Sequence, residues 1–134
     1  MIAASNFNVN TPSAGTTGNG GFFYLTNTGT STITLNTGTF TAPSANVNGG
    51  FIYKTSGTTY NIQILTYTVT SSSVTTGNGG FGYLEASSSG TLTITDTTFT
   101  TSHSQLEGGL FYMSGTNNVV VTITTSTVTS STAN

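Results

Sequence analysis

The chain has no cysteine, no tryptophan, two prolines, one basic side chain and three acidic ones in 134 residues. Each scarcity excludes something. Without cysteine there is neither a disulfide framework nor a thiolate metal site. With Lys54 as the one basic residue, nucleic acid and anionic membrane surfaces lose their usual attraction, because both need clustered Lys and Arg. Charged residues make up 3% of the chain, against about 25% in ordinary domains. No apolar run reaches the roughly 18 residues that suggest a membrane-spanning helix. Met1–Ala4 is too short to read as a signal peptide. What remains is rich in Thr, Ser, Gly and Asn, a mixture that by composition alone reads as low-complexity and disordered.

The order of the residues argues against disorder. GGFFYL begins at Gly20, GGFIYK at Gly49, GGFGYL at Gly79 and GGLFYM at Gly108, spaced 29, 30 and 29 residues apart. A fixed period of this size signifies one unit repeated and stacked. Counted from the second glycine of each pair (Gly21, Gly50, Gly80 and Gly109), three further positions are apolar in every copy. Twelve residues on stand Ile33, Ile62, Leu92 and Val121. Fourteen on stand Leu35, Ile64, Ile94 and Ile123. Nineteen on stand Phe40, Val69, Phe99 and Val128. Their neighbours are mostly Thr. Residues two apart share a face of a strand, so stretches such as Thr-Leu-Thr-Ile-Thr from Thr91 predict strands with one buried face.

Each repeat is therefore expected to hold three short strands, with Gly, Ser, Asn and Pro at the corners. Such a unit cannot bury its apolar face alone, and stacking solves this. The expectation is an all-β fold: a single-stranded, right-handed parallel β-helix (β-solenoid) of about four and a half coils of 29–30 residues. Handedness follows from the general preference for right-handed crossovers. Residues 1–134 form one domain, with a partial coil over 1–19 and coils starting near 20, 49, 79 and 108. Aligning Phe7 with Phe40 places Ile2 opposite Leu35 and leaves four extra residues within Asn10–Asn19, expected as a loop. No helix or charged strand caps either end, so the chain reads as a segment or subunit of a longer stack, able to add rungs end to end.

The pattern Gly-Gly-apolar-apolar-Tyr, followed by Thr-apolar-Thr-apolar and Thr-Phe-Thr, resembles repeats of right-handed β-helix proteins of the polymorphic outer-membrane and autotransporter-adhesin type. It covers essentially the whole chain. The resemblance implies a β-helix and a surface or extracellular setting. Within that family the repeats serve adhesins, coats and fibres, so it implies no single function, and no membrane-barrel pattern accompanies the repeats here.

Several files of side chains are candidate sites. A threonine pair flanks the third-strand core residue in each repeat: Thr39 and Thr41, Thr68 and Thr70, Thr98 and Thr100, Thr127 and Thr129. Stacked, they form two files with rung spacing, similar to the Thr-x-Thr face of β-solenoid antifreeze proteins. Three readings stand: ordinary outward strand residues supporting one another, an ice- or water-ordering face, and sites of covalent O-glycans. N-glycans are not expected, since no Asn is followed two residues later by Ser or Thr. Asn19, Asn48 and Asn78, with Glu107 in the fourth copy, precede the glycine pairs and are expected as a hydrogen-bonded corner ladder rather than a ligand site.

The first strand is apolar on both faces. One carries Phe22, Phe51, Phe81 and Leu110 with an aromatic ladder of Tyr24, Tyr53, Tyr83 and Tyr112. The other carries Phe23, Ile52, Gly82 and Phe111, then Leu25, Lys54, Leu84 and Met113. Because Lys54 and Gly82 interrupt the second face, the Phe/Tyr face is expected inward. Should the tyrosines instead face out, they are placed to stack on sugar rings.

Catalysis is not expected. Glu85, Asp96, Glu107, His103 and Lys54 fall at different repeat positions, whereas acid–base work needs two groups converging on one bond. His103 reads as a solvated corner residue. No cofactor or metal is expected. GNGGF strings resemble phosphate loops but lack the Lys and the helix. The expected role is a structural protein of an extracellular fibre or surface coat, its partner being itself, head to tail and also side by side. The alternative is a binding module for ice or glycan.

Overall fold

The computed structural model describes residues 2–5, 9–10, 18–25, 30–42, 44–54, 59–86, 89–115 and 118–134. Every strand pairing is parallel, and the described residues contain no helix. The chain is a β-solenoid.

The pairing ladders follow the repeat. Phe23–Leu25, Ile52–Lys54, Gly82–Ala86 and Phe111–Gly115 form one sheet. Ile2–Ser5, Thr30–Thr41, Thr59–Leu65, Ser89–Thr95 and Val119–Thr124 form the second ladder. Val9–Asn10, the end of Thr30–Thr41, Tyr67–Thr70, Thr98–Phe99 and Thr127–Val128 form the third. Strand Thr30–Thr41 runs unbroken through a corner and joins the second and third ladders into one nine-stranded sheet.

Three corrections to the expected architecture follow. A fourth strand is present in each coil: Ser44–Ala45, Ser72–Val74, Ser102–Ser104 and Ser131–Ala133. Its Ser-rich sequence reads as turn, but stacking on the equivalent strand of the next coil supplies the backbone partners that make it a strand. The first and fourth sheets hold four rungs each, about three full turns between their outer strands, slightly fewer than the four and a half coils counted from sequence. At the N-terminal rung, Ile2 pairs with Ile33 rather than Leu35, and Val9 rather than Phe7 pairs with Phe40. Ile2 and Val9 keep the seven-residue spacing of Ile33 and Phe40, with a local register shift between Ala4 and Ser5. Phe7 and residues 11–17, most of the expected loop, lie outside the described residues.

The glycine pairs have two separate jobs. Gly20, Gly49, Gly79 and Gly108 all have φ between 62° and 69°, left-handed backbone that favours glycine. The second glycine lets two chains approach. A Cβ on Gly80 would meet the carbonyl oxygens of Gly109 in the next rung and His103 on the fourth strand. The motif thus turns the corner and closes the coil against its last strand.

The interior is columnar. Ile33, Ile62 and Leu92 form one buried file, Leu35, Ile64 and Ile94 a second, and Phe40, Val69 and Phe99 a third. Phe22, Phe51 and Phe81 stack beside them at 5.2 and 4.8 Å. Phe51 also meets Phe40 at 4.1 Å, which ties the first strand to the third across the core. Each such aromatic contact adds about 0.5–1.5 kcal/mol beyond the area it buries. Val121, Ile123 and Val128 hold the same register, yet they are 39%, 54% and 44% exposed. They were expected in the core. They line the outermost rung, where no described strand covers them.

Candidate functional site

The surface that the coils build is a set of files running along the axis, and the candidate residues sort by which file they occupy. Thr39, Thr68, Thr98 and Thr127 are register partners along the third ladder. They and the flanking Thr41, Thr70, Thr100 and Thr129 all lie exposed or half-buried. Thr70 Oγ1 donates to the Phe40 carbonyl one rung away at 3.4 Å, so this member is partly engaged in holding rungs together. The second strand adds an outward hydroxyl field that sequence reasoning did not single out. Thr34, Gln63, Thr93 and Thr122 are register partners, with Thr91 and Thr95 beside them. The signal was present in the alternation that placed Leu92 and Ile94 inward.

The asparagine corner is a ladder. Asn48 Nδ2 donates to Asn19 Oδ1 at 3.1 Å. The Asn78 backbone N–H donates to Asn48 Oδ1 at 2.8 Å, and the Glu107 backbone N–H donates to Asn78 Oδ1 at 2.9 Å. Amide groups of these side chains are thus spent on neighbouring rungs. A second polar ladder lies inside the fourth strand, a stretch whose composition reads as turn. Ser72, Ser102 and Ser104 are buried. Ser72 Oγ donates to Ser102 Oγ at 2.9 Å, and Ser102 Oγ donates to the Gly109 carbonyl at 2.6 Å. These bonds meet the requirement that buried polar groups be paired.

The first strand departs most from expectation. The tyrosine face points outward: Tyr24 is 58% exposed, and Tyr53, Tyr83 and Tyr112 are half-buried. Phe23, Ile52 and Leu84 point inward with Lys54. Phe51 and Phe81, one residue earlier, are buried too, so alternation fails there. The reason is in the backbone. The amides of Phe51 and Ile52 both donate to the Phe81 carbonyl, at 2.7 and 3.0 Å; in the same way Phe22 and Phe23 share the Phe51 carbonyl, and Phe81 and Gly82 share that of Leu110. Two successive residues serve one acceptor, the pleat slips by one, and both apolar neighbours enter the core.

Lys54, expected on the outward face of this strand, is instead 1% exposed on the inward one. Burial pushes its amine below the ordinary value, and the charge of Glu85 offsets part of that. Tyr60 and Tyr67 are likewise buried. Desolvation pushes the Tyr60 phenol up to about 12 and raises that of Tyr67. Among the described residues, the Tyr60 hydroxyl is the buried side-chain polar atom left without a hydrogen-bond partner.

The remaining ionisable residues stay apart by element. Glu85 is on the first strand, Asp96 at the corner after the second, and Glu107 beside the glycine corner. His103, expected at a corner, sits on strand Ser102–Ser104, half-buried, with Nδ1 3.0 Å from Thr132 Oγ1. The described residues contain no group of three His, Cys, Asp or Glu placed to hold a metal, and no helix long and apolar enough to cross a membrane.

The most regular outward feature is therefore the tyrosine file. Tyr24–Tyr53, Tyr53–Tyr83 and Tyr83–Tyr112 have ring centroids 5.3, 5.1 and 5.0 Å apart, inclined by 9°, 22° and 20°. Each interior ring turns its faces toward its neighbours. That geometry disfavours stacking of sugar rings on Tyr53 or Tyr83, since the faces a sugar would cover are already in use. Comparison with protein-family models, curated proteins and solved structures returns no match for this chain.

Proposed function

We propose that the chain is a structural β-solenoid of an extracellular fibre or surface coat, assembled end to end, with outer Thr and Ser faces that are hydrated or carry O-glycans. The observation that supports it best is the columnar register: each rung offers the next the same parallel backbone ladder and the same apolar files, Ile33–Ile62–Leu92–Val121 among them. A rung of a second copy can be held by the same contacts that hold the coils to one another. The scarcity of charge removes repulsion between like units and favours association.

The test is negative-stain microscopy with light scattering on the purified chain. The reading expects filaments that lengthen with concentration. A monodisperse particle of 13.7 kDa at all concentrations would reject it. O-glycosylation is checked on protein from its source, where an intact mass of 13.7 kDa would remove that element of the proposal.

A second reading, an ice- or glycan-binding module, is favoured by the outward threonine register Thr39–Thr68–Thr98–Thr127. Ice binding predicts thermal hysteresis that disappears in Thr98→Tyr/Thr127→Tyr. No hysteresis in the parent protein would eliminate it.

A further inference from the structure

We infer that the outer tyrosine file is an oxidative cross-linking site, where tyrosines of neighbouring rungs couple to dityrosine in the presence of a peroxide-driven one-electron oxidant. Three observations carry it. The first is proximity. Tyr24, Tyr53, Tyr83 and Tyr112 stand one per rung, stacked 5.0–5.3 Å apart, so a radical formed on one ring has its reaction partner held beside it. Such positioning replaces a bimolecular encounter by an intramolecular one.

The second is the absence of competing sinks. The chain has no Cys and no Trp, the side chains that most readily surrender an electron in place of tyrosine. The third is access. Loss of an electron from a phenol is accompanied by loss of its proton, which needs an acceptor such as water. The file is exposed or half-buried, whereas Tyr60 and Tyr67 are sealed in the core, and the Tyr60 phenol holds its proton to about pH 12.

The step balances as follows. Two phenols each lose one electron and one proton to give two phenoxyl radicals. The radicals join through the ring carbons ortho to oxygen, forming one C–C bond. The hydrogens on those two carbons then move to the oxygens and restore both phenols. The two electrons and two protons reduce the peroxide, which gives two waters when it is hydrogen peroxide. In a chain without cysteine, the product staples residues 29 or 30 positions apart, the constraint on the unfolded chain that a disulfide supplies elsewhere.

The experiment compares two double variants of equal tyrosine content. Tyr24→Phe/Tyr112→Phe keeps neighbouring Tyr53 and Tyr83. Tyr53→Phe/Tyr112→Phe keeps Tyr24 and Tyr83, which are two rungs apart. Phenylalanine preserves the stack, and circular dichroism verifies that both fold. Each is oxidised at high dilution with photoactivated ruthenium tris-bipyridyl and persulfate. Readouts are dityrosine fluorescence and peptide mapping of the monomer band. The first variant is expected to form an intramolecular Tyr53–Tyr83 link, with its mass lower by two hydrogens and its melting temperature higher. The second is expected to yield at least tenfold less. Equal yields, links found only between molecules, links at Tyr60 or Tyr67, or oxidation ending at Met113 without dityrosine would each overturn the inference.

Discussion

At the scale of single residues, two positions are out of equilibrium with their surroundings. The Tyr60 ring lies in the core with its hydroxyl unpartnered. Leaving such a group without a bond costs about 1–3 kcal/mol, so Tyr60→Phe should raise stability by about 1 kcal/mol, measured by chemical denaturation. The same residue sets a pH window. Its folded-state pKa, about 12, lies above the ordinary 10.0, so the folded chain retains a proton that the unfolded chain releases. Stability is therefore full below pH 10 and falls as pH rises toward 12. Tyr60→Phe should flatten that alkaline loss. Thr66 is the second position. With φ of 59°, a β-branched side chain occupies left-handed backbone at a cost of about 1–2 kcal/mol. Asp96 and Thr125 share its repeat position and its conformation, with φ of 50° and 49°. Thr66→Asn, which places there a residue that tolerates the conformation, should add about 1 kcal/mol. An unchanged or lower melting temperature would contradict it.

At the scale of strands, what aligns the rungs is complementarity of size as well as hydrogen bonding. Gly90 is the register partner of Tyr60, and a Cβ on it would run into the Tyr60 ring. Gly38 faces Tyr67, where a Cβ would come within 2.8 Å of Cε1, and Gly82 faces Phe111, within 2.7 Å of Cδ1. In each pair a large ring leans over the glycine of the adjacent rung. Gly90→Ala should therefore cost about 2–3 kcal/mol. Gly90→Ala/Tyr60→Leu should cost clearly less than the sum of the two single substitutions, because the shortened side chain no longer meets the added Cβ. A double-mutant cycle with no coupling would show that the ring and the glycine are independent.

Strands whose side chains alternate were readable in advance, because Thr91-Leu92-Thr93-Ile94-Thr95 states its own period. The first strand was not. Its faces are decided by two amides sharing the Phe81 carbonyl, and no side-chain pattern carries that information. The fourth strand escaped notice for another reason. Ser72-Ser73-Val74 and Ser102-His103-Ser104 have turn-like composition, and become strands only through parallel neighbours one coil away. Lys54 misled for a third reason. A lone charge on an apolar face argues for exposure, and the carboxylate of Glu85, whose charge acts on it, comes from the adjacent rung, 31 residues away.

At the scale of the whole molecule, stability is the sum of rung-on-rung contacts. An interior truncation such as Leu92→Ala should cost about 2–5 kcal/mol. Ile123→Ala should cost much less, because that side chain is 54% exposed. If end-to-end assembly operates, the order reverses for filament formation. Val121→Lys/Ile123→Lys places two charges where a second copy would seat, and should abolish filaments while leaving the monomer folded; filaments that persist would contradict assembly through this face. The columnar interior was visible in the glycine period.

The measurement that bears most directly on the account is solution NMR of the uniformly labelled, methyl-assigned chain, read for nuclear Overhauser contacts between rungs. Registered parallel stacking predicts backbone contacts between residues 29 or 30 apart in all four strands of the coil, and methyl contacts from Ile62 to Leu92 and from Leu92 to Val121. Contacts confined to near neighbours, or an antiparallel pattern between successive strands, would contradict it.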